Sequence, residues 1–181
     1  YAGAKHEDTK DGYRIIRVGG RFSVYYRAYQ YYTKHFKHDD FDIVIEEVNT
    51  IPFFSLFYIK SRRVLFFHQL AREIWFYQMP FPLSLVGYIA EPFYLRLLSS
   101  TYGKVRTHTS VLTISESSRC DLMKYGFRAE DISIISEGVH MEPVADLTLS
   151  TKYPVPTMLS IGSVRPMKRT VDIVRAFEHA K

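Results

Sequence analysis

Short apolar runs alternating with longer amphipathic stretches constrain this chain more than any other feature. Ile15 to Val18, Ile43 to Ile45, Val64 to Phe67, Val111 to Ile114, Ile132 to Ile135 and Met158 to Ile161 read as buried strands. Between them, Ser23 to Phe36, Phe93 to Ser100, Ser117 to Tyr125 and Thr170 to His179 read as helices, the third opened by Ser115 or Ser117 and closed by Gly126. Strand and helix in alternation predict an α/β fold whose mostly parallel sheet is covered on both faces.

With 181 residues, 46% of them hydrophobic, the chain is long enough for one domain or a little more and bears a core. The composition shifts after Gly138. Residues 139–156 carry Pro143, Pro154 and Pro156 without clear periodicity and read as a linker. The expected division is therefore a first domain over 1–138, a linker over 139–156, and over 157–181 the first strand and helix of a second domain. The chain starts with Tyr1 and stops inside a helical pattern at Lys181, and is read as a fragment.

One cysteine, Cys120, excludes an internal disulfide framework and a CxxC zinc site, and a reducing, cytoplasmic compartment is the expectation. The longest uncharged stretch, Ile74 to Ala90, is broken by Pro80 and Pro82 and falls short of the roughly 20 apolar residues that span a bilayer. A net charge of +5 suits an anionic partner.

Four segments carry candidate chemistry. Around Met158 to Ala176, a strand ends at Gly162 and Ser163, a turn carries Arg165 and Lys168, and a helix opens at Thr170. A glycine admits an anion close to the backbone, and helix-start amides and cations attract it, so the turn suits a phosphate or diphosphate. It reads equally as an ordinary turn with solvated cations. His68 follows VLFF, at the carboxyl end of a strand where parallel sheets open their ligand crevice. There it can exchange a proton or bond a hydroxyl, or simply bond a neighbouring carbonyl. Ser115, Glu116 and Gly138 stand at further strand ends on the same side. Glu46 and Glu47 also end a strand, but neighbours on a strand point to opposite faces, so only one of them can reach the crevice. The aromatic stretch Glu73 to Leu98, preceded by Arg62, Arg63 and Arg72, could meet a membrane interface or lipid-linked acceptor, but such a stretch is more often buried core or a subunit contact. With no RNP-like motif or OB-type pattern, nucleic acid is not an expected partner. Histidine and cysteine spacings suggest no metal site.

In their order, TISESSRCDLMKYGF, ISIISEGV, LSIGSVRPMKRTVDIVRAF and VLFFHQ resemble glycosyltransferase family 4 proteins of the GT-B fold, over nearly the whole chain from about Ile15. The resemblance implies two Rossmann-like, doubly wound domains, the second truncated here. It also implies retaining transfer of a sugar from a nucleotide-diphosphate donor to an acceptor, with no cofactor or metal. By that similarity His68 lines the reaction centre, and Gly162, Ser163, Arg165 and Lys168 bind the donor diphosphate. A glycan or lipid-linked acceptor and peripheral contact with the inner face of the membrane fit the same picture. The chain departs from the family at Ser163, where arginine is usual, and at Glu137 and His140, where asparagine and aspartate are usual. The family's first strand and glycine-rich loop would lie before Tyr1 and its paired glutamates beyond Lys181, so the fragment is expected to be inactive alone. A non-catalytic binding module and a GT-B-fold epimerase or phosphorylase are the competing readings.

Overall fold

The structure, a computed structural model, describes residues 3–39, 41–104, 109–136, 138 and 158–179. Two short antiparallel strands, β1 (Glu7–Lys10) and β2 (Tyr13–Ile16), form a hairpin turned at Asp11 and Gly12, both at positive φ. The expected buried strand at Ile15 to Val18 is thus corrected. An Asp-Gly pair favours a tight hairpin, so β2 folds back on its own neighbour and stays exposed or half-buried, outside the main sheet.

Helix α1 (Val24–His35) matches the expected range. Its aromatic side chains dock on the loop at 53–58, with Tyr25 against Phe53 at 4.9 Å and Tyr29 against Tyr58 at 5.1 Å between ring centroids. Then follow β3 (Ile43–Val48), β4 (Arg62–Phe67), α2 (Ile74–Gln78), α3 (Leu83–Lys104), β5 (Thr109–Thr113), α4 (Glu116–Met123), β6 (Ile132–Ile134) and α5 (Thr170–His179).

β3, β4, β5 and β6 make one sheet, every pair parallel, in the order β3-β4-β5-β6. The order is sequential, and the reversal that defines a doubly wound sheet is not among the described strands. Successive right-handed crossovers in one direction put their helices on one face. The core agrees: Val48, Leu65, Phe67, Val111 and Ile132 share a face of the sheet and pack with Leu95, Leu98 and Tyr102 of α3 and with Leu122 and Phe127. On the opposite face Ile43 and Ile45 of the edge strand β3 are 52% and 60% exposed, whereas Val64 beside them on β4 is 7% exposed.

Two polar anchors secure the first layer. Glu91 of α3, 1% exposed, accepts a hydrogen bond from the Ala71 amide at 2.7 Å, and Ser99 donates to the Tyr125 carbonyl at 2.7 Å. Ser115 caps α4 by accepting from the Ser118 amide at 3.2 Å, and Gly126, at φ +96, ends the turn that follows. Helix α3 runs far beyond the expected Phe93 to Ser100 and includes Pro92.

The described residues fall into two compact units, one within Tyr1–Ala71 and Ile89–Ser136, the other within Arg72–Tyr88 and Glu137–Lys181. In the second unit the ring of Trp75 is buried over Gly87, and Arg72 stacks on Tyr88 at 4.6 Å. The expected strand at Met158 to Ile161 is corrected. Its residues belong to no strand, and Leu159 is 80% and Ile161 87% exposed. A segment without a ladder partner leaves its backbone groups to solvent, and none of the described strands pairs with this one. The expected helix at Thr170 to His179 is α5. The expected linker, 139–156, lies outside the described residues.

Candidate functional site

Parallel strands aim their carboxyl ends at one edge of the sheet, and there the first unit gathers its polar side chains. Alternation along β3 puts Ile43, Ile45 and Glu47 on one face, while along β4 it puts Val64, Phe66 and then His68 on that same face. The register pairs Glu47 with Phe66, one step from His68. His68 Nε2 therefore stands 4.0 Å from Glu47 Oε2, with its imidazole tilted against Phe66 at 4.5 Å between centroids. That separation is too long for a hydrogen bond, yet it lets the carboxylate attract an imidazolium. The His68 side chain is 24% exposed, and Glu47's is 63% exposed. The Glu47 carboxylate is therefore open to a solute, whereas His68 Nε2 is itself buried and the ring is reached only away from that atom.

The backbone of His68 is fixed from the neighbouring crossover. Its carbonyl accepts from the Ser118 hydroxyl at 3.2 Å, and Ser118 in turn lies 3.1 Å from Ser115 Oγ. One strand away, Thr113 donates to the Phe67 carbonyl at 2.8 Å. These bonds tie the end of β4 to the start of α4, so the imidazole projects from a held segment. Glu116, exposed in the first turn of α4, is paired with Arg119 at 3.2 Å. Ser115 is the cap of that helix, which accounts for it without chemistry. The structure therefore brings His68, Glu47, Ser115 and Ser118 to one edge.

Glu46, the other half of the acidic pair, turns to the covered face. Its carboxylate accepts from the amides of Phe53, Phe54 and Ser55 and from the Ser55 hydroxyl. It is a loop clamp and leaves Glu47 as the only acid of the pair available to His68.

In the second unit, Gly138, Gly162 and Ser163 are exposed, and a Cβ placed on either glycine meets nothing within 4 Å. Arg165 opens a 3-10 turn over Pro166–Lys168, its carbonyl accepting from the Lys168 amide at 2.9 Å. Arg169, at φ +51, bonds Asp172 at 2.7 Å, which raises its guanidinium pKa, chiefly through that hydrogen bond. Among the described residues Arg165 and Lys168 have no ion-pair partner, and both are exposed. The turn presents two cations to solvent beside α2.

No family model, no curated protein and no solved structure matches this chain.

Among the described residues no group of three His, Cys, Asp or Glu side chains is placed to hold a metal ion. No helix among them is long and apolar enough to cross a membrane. The sequence reading located His68 and placed Glu46 and Glu47 on opposite faces. It missed Ser118, whose contact spans 50 residues and leaves no local signal. Glu137 and His140, where the family pattern departs, lie outside the described residues.

Proposed function

We propose that this chain belongs to a retaining glycosyltransferase of the GT-B type, its first unit serving the acceptor side and its carboxyl-terminal turn the donor diphosphate. The observation that carries the reading is His68 at the carboxyl end of a parallel strand, on a fixed backbone and 4.0 Å from Glu47. An imidazole so placed can bond an acceptor or transferring-sugar hydroxyl, and the neighbouring carboxylate supports positive charge that develops on the ring. Gly162, Ser163, Arg165 and Lys168 supply what a diphosphate needs, namely uncrowded backbone and two cations. The donor in this reading is a nucleotide-diphosphate sugar, with no metal in the transfer step.

A second reading, a module that binds a membrane or partner without chemistry, draws on α3. Ile89, Phe93 and Leu97 recur at helical spacing and are all exposed, Phe93 by 68%. The only charged side chain near them on that helix face is Arg96. Such a row suits contact with a lipid surface or with a lipid-linked acceptor.

The test uses the complete gene product that contains this chain. His68→Ala is expected to lower sugar transfer by about 10² to 10⁴ with nucleotide-diphosphate affinity little changed, and Lys168→Ala to weaken that affinity in calorimetry. Normal turnover in a stably folded His68→Ala protein returns His68 to a structural strand-end role, and absence of any sugar transfer by the unaltered protein favours the binding module.

A further inference from the structure

Between the amino-terminal hairpin and α1, within the first unit, lies an open cleft of about 650 Å³ that neither His68 nor Lys168 lines. Helical spacing puts Arg27, Tyr31 and Lys34 in one row along α1, and all three face the cleft. His6 and His35 line it as well. No aspartate or glutamate lines it. Among the described residues neither Arg27 nor Lys34 has an ion-pair partner. The nearest acid, Glu7, accepts from the Tyr31 hydroxyl at 3.4 Å but is already paired with Arg14 at 3.3 Å.

We propose that this cleft binds a phosphate-bearing anion. Arg27 and Lys34 stand two turns apart on one helix face, about 10 Å by helix geometry, so an anion lying along the cleft can meet both. Arg27 is partly oriented for the task, since its guanidinium bonds Gln30 Oε1 at 3.2 Å, leaving its remaining donors for a bidentate contact while Lys34 acts as a point charge. Tyr31 stacks on His35 at 4.4 Å between centroids, and His6 stands 6.4 Å from the same ring. The rings are inclined to one another, by 49° between His6 and Tyr31 and 30° between Tyr31 and His35, and make an aromatic border that a ring carrying the phosphate can touch. The proposal is independent of the glycosyltransferase reading, because it uses none of that reading's residues.

The 181-residue chain is titrated at fixed ionic strength with inorganic pyrophosphate, glucose 1-phosphate and AMP, and amide shifts are followed by NMR. Saturable shifts at Tyr31 and Lys34 are expected, persisting in Lys168→Ala and weakened at least tenfold in Arg27→Ala/Lys34→Ala. The substituted side chains are exposed, so an unchanged thermal melt is expected, and Arg27→Lys/Lys34→Arg should recover most of the affinity. Tighter binding of the two ring-bearing phosphates than of pyrophosphate identifies a ligand recognised through the aromatic border, and equal binding identifies the free anion. No saturable shift over residues 27–35, or full affinity in the double alanine variant, overturns the proposal.

Discussion

Glu46 and Glu47 are adjacent and have opposite fates. Glu46 is 4% exposed and holds three backbone amides of the 53–55 loop, whereas Glu47 faces solvent beside His68. Glu46→Gln keeps the size but aims an amide at N–H donors, so it is expected to cost about 1–3 kcal/mol in a denaturant melt, with Glu47→Gln close to neutral. The same carboxylate acts on Tyr58, whose phenol is pushed up to about 12, mainly by burial and then by the charge of Glu46. The folded chain therefore holds this proton more tightly than the unfolded chain, whose phenols titrate near 10. Stability from Tyr58 is complete below pH 10 and is lost as pH rises from there toward 12. A phenolate absorbance titration should show a late component near 12 that Tyr58→Phe removes, along with its share of the alkaline loss of stability. Alternation made the two facings of the glutamates legible in sequence. The partners of Glu46 were not, because they come from a loop that only the closed fold brings near.

Among the elements, those that depend on local signals were readable. Helices α1, α4 and α5 lie within a residue or two of expectation because periodicity marks all three, and a serine cap opens α4. Strand expectations held where a neighbour was present to pair, as for β4 and β5, and failed at Met158 to Ile161, where no described strand supplies one. The hairpin was missed although Asp11-Gly12 announces it, since its strands lack the apolar content that marks a buried run. α3 was read too short, with its start placed after Pro92, whereas the helix begins at Leu83 and runs across that proline. Of the described glycines, Gly87 has the least room, for a Cβ there would run into the Trp75 ring. Gly87→Ala is expected to destabilise the second unit by about 1–3 kcal/mol through overpacking. Trp75 is the only tryptophan, so its fluorescence reports this directly. A shift of emission toward that of exposed indole is expected, with the first unit's core intact, and an unchanged spectrum and melt would show that the ring moves aside at no cost.

At the scale of the whole molecule, the parallel class of the sheet was legible, whereas periodicity carries no record of which strand lies beside which. The order found is also the order of synthesis, β3, β4, β5, β6. On the ribosome each strand can therefore join the edge left by its predecessor as it emerges, and none needs to wedge between two that have already paired. The slowest of these additions is β5, which must wait for the long excursion from Phe67 to Thr109 to fold back, and loop closure grows costlier with length. Until then β4 carries a bare edge, and the apolar side chains of Leu65 and Phe67 have no α3 to cover them. The nascent chain is most exposed to chaperones and to misassociation during that interval, set by nothing more than the sequential lay of four strands.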